Sequence, residues 1–205
     1  MYDIDKEMLR WSQTVYGIAH SLQIVESINM GNLDTLMTSL RNAAARKPSD
    51  LGFESSIDAR DFGENAVKLD GRDHAQVFDI LSDNVTELLF VNLAVLADEC
   101  LAQCMANAGA NVPNYLTAKV EWIKPRLDQE HRWAANGLLE LCAIRNAIVH
   151  NEGRLGRKSV ELLLSADVTN IKEDHRIQLS FGDLFRYRRA LRTVVGEARK
   201  LAVRH

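Results

Sequence analysis

The sequence predicts an all-α protein, and three observations carry that prediction. Apolar residues recur at spacings of three and four over most of the chain, only three prolines occur in 205 residues, and aromatic residues make up just 6%. A β-sandwich would need more aromatic residues and a period-two alternation. At 46% hydrophobic and 26% charged, the composition is that of an ordinary globular chain, long enough to bury one sizeable core. Residues 1–205 are therefore read as a single helical domain.

From the N-terminus, Asp5 to roughly Met30 carries Leu9, Val15, Ile18, Leu22, Val25 and Ile28 at helical spacing, and Gly31 ends the pattern. A second helix follows, with Asn32 or Asp34 as cap and Leu33, Met37 and Leu40 as its face, stopped at Lys47-Pro48. Residues 48–73, rich in Asp, Gly, Ser and Glu, read as a long connection. His74 to about Asn107 is a long helix apolar on more than one face, the pattern of a core helix or of one buried in an oligomer interface. Gly109 and Pro113 end it. Asn114 opens a shorter helix through Leu127, which Pro125 should kink or shorten. Arg132 to His150 forms another helix. Val160 to Leu164, with the alternation Ile177, Leu179, Phe181, reads as a small β-hairpin within residues 160–181. Ser180 and Asp183 resemble a capping box for a last helix through Val203, whose many arginines suit a solvated terminal helix.

The N-terminal segment Met1-Tyr2-Asp3-Ile4-Asp5 is acidic and lacks an apolar leader core. The longest apolar run, Leu88 to Ala97, is interrupted by Asn92 and too short to span a bilayer. Cys100, Cys104 and Cys142 form an odd set without framework or zinc-like spacing, as expected of reduced thiols in a cytoplasm. No phosphate-binding or dinucleotide-binding glycine motif is present, so neither cofactor nor metal is expected. Charge is uneven. Residues 1–110 carry 17 acidic side chains against 8 lysines and arginines, and residues 111–205 carry 11 against 17. The basic half suits an anionic partner, although two oppositely charged halves that merely solvate one another would look the same.

The most informative stretch is Leu138 to Arg154. On a helix, Leu138, Leu141, Cys142, Ile148 and Val149 form one apolar stripe, and Arg145 falls inside it. A guanidinium cannot shed its charge, so in such a place it needs a carboxylate, a phosphate or a set of carbonyls. Glu140 or Glu152 could supply a purely structural partner, and His150 could be a helix-terminal histidine favoured by the dipole. Asn146 and His150 lie four apart on the flank of the same helix, close enough to share a ligand, and Gly153 marks the helix end.

Arg145-Asn146, three residues and then His150 resembles the motif of the HEPN superfamily, small α-helical domains many of which are metal-independent RNases. That motif is an arginine, usually followed by a polar residue, with a histidine a few positions on at the end of a helix. The resemblance covers about ten residues and implies a HEPN-like helical bundle. It also implies that Arg145, Asn146 and His150 are catalytic at a cleft formed between two copies of the chain. The family includes toxins of toxin–antitoxin pairs, phage-defence effectors and silent members, so an antitoxin or regulatory protein is an expected partner and a membrane is not. One toxin branch has a modifiable tyrosine two residues after the histidine; this chain has Glu152 there.

The residue types fit the expected reaction. An imidazole can take or give a proton near neutral pH, and a guanidinium can hold the non-bridging oxygens of a phosphorane. Downstream, Gly153-Arg154-Leu155-Gly156-Arg157-Lys158 is a basic glycine-containing loop. Asn151, Arg154, Arg157 and Lys158 are the expected RNA contacts. The competing reading is a non-catalytic helical module that uses the same pocket to bind nucleotide, RNA or a protein partner.

Overall fold

The computed structural model describes residues 3–27 and 74–203, with side chains for 3–22 and 82–201. Among these residues lie the helices α1 (Ile4–Ser27), α2 (His74–Asn107), α3 (Leu116–Ile123), α4 (Arg132–Asn151), α5 (Arg157–Ser165) and α6 (Phe181–Val203). Two 3-10 turns, Lys124–Arg126 and Gln129–His131, connect α3 to α4. No strand occurs among the described residues, so the all-α expectation holds for them. The helix expected at 32–47 and the connection at 48–73 lie outside them. The chain divides into two compact units, one of Met1–Gly17 with Asp83–His205 and one of Ile18–Ser82. Of the second, the described part is the helical ends of α1 and α2; the first carries everything below.

α4 is the centre of the first unit and packs against α3, α5 and α6. Gly137 explains how closely α6 approaches, because a Cβ there would lie 3.1 Å from the Cβ of Ala190. Leu138, Leu141 and Ala134 of α4 and Leu184, Leu191 and Val194 of α6 are fully enclosed at this crossing. The last helix is thus a core element rather than a solvated one. Its arginines occupy its other faces, where Arg199 pairs with Asp5 at 3.1 Å and Arg189 lies over the Trp133 ring. Its start follows the expected capping box. Asp183 accepts from the Ser180 N–H at 3.1 Å, and the Asp183 N–H donates back to the Ser180 hydroxyl at 3.3 Å.

α1 buries Ile4, Met8, Trp11 and Val15, a strict helical stripe, whereas Leu9 is exposed. Tyr16 stacks on Phe185, joining α1 to α6. α2 buries Phe90, Leu93, Ala97, Cys100, Leu101 and Cys104, with Phe90 edge-on to Tyr187 at 5.8 Å. Its stretch Ser82–Asn107 is long and apolar enough to cross a membrane by length and composition, yet 56% of that window is buried inside the protein. Such burial is what a core helix shows. The three cysteines are buried and form no disulfide. Pro125 acts as expected: the α-helix stops at Ile123 and the chain tightens into a 3-10 turn with the proline near its start.

The expected hairpin at 160–181 is incorrect. Val160 to Leu164 lies inside α5, where three consecutive leucines hide a helical period: Val160 and Leu163 face Ala143 and Ala147 of α4, while Leu164 points out. Buried Ser159 fixes this seat by donating to the Ala143 carbonyl at 3.2 Å. The segment around Ile177 is extended but pairs elsewhere. The N–H of Leu155 donates to the His175 carbonyl at 2.9 Å and that of Ile177 to Gly153 at 2.9 Å, leaving one isolated bridge between Arg154 and Arg176. This clasp ties down the loop directly after the motif.

Candidate active site

α4 ends where the motif ends. Asn151 is its last residue, and Glu152 adopts a left-handed conformation with φ 51°. Gly153, at φ 77°, donates its N–H to the Ala147 carbonyl at 3.0 Å. The terminus is therefore the one expected from Gly153, and it presents His150 on the last turn.

Arg145 is half-buried, and its Nη1 donates to Asn146 Oδ1 at 3.1 Å. The same Nη1 lies 3.2 Å from His150 Nε2. A guanidinium only donates, so Nε2 is the acceptor in this contact. One cation thus gathers the three motif residues. Among the described residues no carboxylate is within ion-pair distance of Arg145. Glu140 instead accepts from Arg186 at 2.7 Å and from the Tyr187 hydroxyl at 2.9 Å. The stripe read from the sequence needs correction at its end. Ala143 and Ala147 hold the core face, Ile148 is half-buried, and Val149, at 45% exposed, lies outside it.

Arg145, Asn146 and Cys142 line a cleft of about 980 Å³. The α5 wall contributes Lys158 and Glu161, α2 contributes Val95 and Asp98, and α3 with the residue before it contributes Tyr115, Thr117 and Glu121. His150 is exposed and does not line this cleft; it touches Arg145, which does. The lining is electrically mixed, because Asp98, Glu99, Glu121 and Glu161 face two cations, Arg145 and Lys158. Asp98 pairs with buried Lys119 at 2.7 Å, and Glu161 with Arg157 at 3.1 Å. Burial pushes the Cys142 thiol up to about 12, against the opposing pull of the Thr117 hydroxyl, so this sulfur is no nucleophile at neutral pH.

Of the four expected RNA contacts, Lys158 lines the cleft. Arg154 is turned to Asp174, its Nη1 lying 3.5 Å from the carboxylate and donating to the Asp174 carbonyl at 3.1 Å. Arg157 is exposed at the rim beside Glu161. Asn151 is exposed and lies against Gly156, where a Cβ would come within 2.4 Å of its Nδ2 and turn that side chain aside. Sequence reasoning missed Tyr115, Thr117 and Glu121, which reach the cleft only because α3 folds back along α4. Their sole signal was Lys119 on the apolar face of Leu116, Val120 and Ile123, a charge that announces a partner just as Arg145 does. No protein-family model, curated protein or solved structure matches the chain.

Proposed function

We propose that the chain is a HEPN-type endoribonuclease that cleaves RNA by 2′-OH transesterification at a cleft between two copies of itself, in a toxin or phage-defence setting. The observation that carries this reading is the Arg145 guanidinium bonded to both Asn146 Oδ1 and His150 Nε2. Both acceptors are of the kind a phosphate oxygen would replace. A phosphate seated on Arg145 frees Nε2 to act as a base.

The reaction then runs on groups of this chain. His150 takes the proton of the 2′-OH, the O2′–P bond forms, and Arg145 with Lys158 holds the charge on the non-bridging oxygens. The P–O5′ bond breaks as the leaving oxygen receives a proton. One chain offers one histidine at this place, so the acid is His150 of the second copy. Asn146 orients the imidazole or the phosphate. An apolar surface beside the motif supports dimerisation: Leu88 and Val95, two turns apart on one face of α2, are 67% and 49% exposed, and Val149 follows Arg145 by one turn.

A second reading has an observation of its own. Four carboxylates around the cleft weaken its pull on a polyanion, which suits a non-catalytic module binding a nucleotide or a protein partner.

The test is incubation of the purified chain with single-stranded RNA in EDTA, beside His150→Ala and Arg145→Ala, with end-group analysis. The ribonuclease gives 2′,3′-cyclic phosphate and 5′-hydroxyl ends, lost in both variants. Upstream fragments ending in 3′-hydroxyl would overturn the transesterification, and an inert wild type leaves the binding module.

A further inference from the structure

The α3 side of the cleft differs in chemistry from the Arg145 side. Tyr115 is 76% exposed, makes no capping bond to α3, and still lines the cleft. Thr117 and Glu121 stand four residues apart on α3 and so share the face that borders the same space. Among the described residues, Glu121 makes no ion pair, in contrast to Asp98 with Lys119 and Glu161 with Arg157. A free carboxylate repels a phosphate. It is suited to accept from N–H donors, and a neighbouring aromatic ring is suited to stack on a base.

We infer that this wall selects guanine in the RNA strand, with Glu121 accepting from the base's Watson–Crick edge and Tyr115 stacking on its ring. The inference rests on the ribonuclease reading above. Guanine offers two adjacent donors, N1–H and the N2 amino group, which match the two oxygens of a carboxylate. Cytosine and adenine offer one amino group beside a ring acceptor, and uracil sets its single N–H between two carbonyl oxygens that a carboxylate repels. The two walls divide the nucleotide between them: phosphate on Arg145, Asn146 and Lys158, base on Tyr115 and Glu121. A volume of about 980 Å³ holds a nucleotide.

The test is calorimetric titration of the full chain with 3′-GMP, 3′-AMP, 3′-CMP and 3′-UMP. 3′-GMP binds roughly ten-fold tighter than 3′-UMP, since a paired contact of this kind discriminates on that scale. Glu121→Gln, which turns an amide donor toward the guanine donors, brings 3′-GMP down to the others and leaves 3′-UMP unchanged. Tyr115→Ala weakens all four by roughly ten-fold. Both positions are exposed, so the variants fold. Equal binding of the four nucleotides, or a guanine preference that survives Glu121→Gln, overturns the guanine assignment while the ribonuclease reading stands. If no nucleotide binds, the base pocket is overturned, and a lack of RNA cleavage in the same preparation removes the ribonuclease reading with it.

Discussion

Lys119 Nζ lies 2.7 Å from Asp98 Oδ1 beneath the cleft, the lysine 4% exposed and the aspartate 36%. The pair joins α3 to α2 and so sets the distance between two walls of the candidate site. Asp98→Ala leaves an ammonium in the interior without a counter-charge. For a fully buried pair that costs about 3–5 kcal/mol; solvent around the aspartate reduces it to about 2 kcal/mol here. Adding Lys119→Met should restore most of the loss, because an apolar side chain of similar length fills the space without a charge to satisfy. Urea denaturation of the two single variants and the double variant gives the cycle. Stability of Asp98→Ala equal to the wild type would show that the pair contributes nothing.

For the motif, Arg145→Lys is more telling than Arg145→Ala. An ammonium keeps the charge but lacks the planar fork that holds Asn146 and His150 together. In the ribonuclease reading, cleavage falls by about 10²–10³-fold in Arg145→Lys, a loss on the scale of one oxyanion donor. His150→Ala loses about 10²–10⁴-fold, the scale of a general acid or base. His150 is exposed, so its removal should leave the melting midpoint within a degree or two of the wild type. Cleavage that persists undiminished in Arg145→Lys would remove the guanidinium from the site.

Helical period and punctuation made much of the fold legible. α2 ran from His74 to Asn107 as read, Pro125 shortened α3, and Ser180 with Asp183 capped α6. α5 failed because Leu162-Leu163-Leu164 satisfies a strand and a helix equally, and the deciding contact, Ser159 on the Ala143 carbonyl, spans 16 residues. The motif triad was visible because all three residues sit on one helix, where spacing fixes proximity. The Tyr115 and Glu121 wall was not, because it depends on how α3 crosses α4. Leu9 and Val149 were misplaced for the same reason: periodicity identifies an apolar stripe but not where the neighbouring helices stop covering it.

Buried thiol and phenol groups contribute to the behaviour in alkali. Burial pushes the Cys142 thiol from 9.0 up to about 12, and burial followed by the neighbouring Glu140 carboxylate raises the Tyr187 phenol. For a group whose pKa is higher folded than unfolded, the unfolded chain loses its proton first as pH rises. The contribution of these groups is thus complete below pH 9 and declines from there towards about 12. Urea midpoints should fall between pH 9 and 10.5, and the fall should be shallower in Tyr187→Phe. At pH 8, native protein should react negligibly with a thiol reagent, while the unfolded chain yields all three cysteines. Rapid labelling of the native chain would contradict the burial that places all three sulfurs in the interior.

Gly137 tests the crossing on which the whole site rests. Its missing side chain lets α6 approach α4 until Ala190 is 3.1 Å from where a Cβ would stand. A methyl group demands a shift of a few tenths of an ångström, which the gain in helix propensity of up to about 1 kcal/mol can offset, so Gly137→Ala should change stability little. A branched side chain has no such escape, since it meets Ala190 and then the Tyr187 ring. Gly137→Leu should therefore separate the helices and cost about 1–3 kcal/mol or more. Because Tyr187 also holds Glu140, the displaced helix should lose that hydrogen bond as well, making Tyr187→Phe less harmful in the Gly137→Leu background than in the wild type. Chemical denaturation of the four chains measures both effects. Independent, additive losses would mean that α6 accommodates the leucine without moving away from α4.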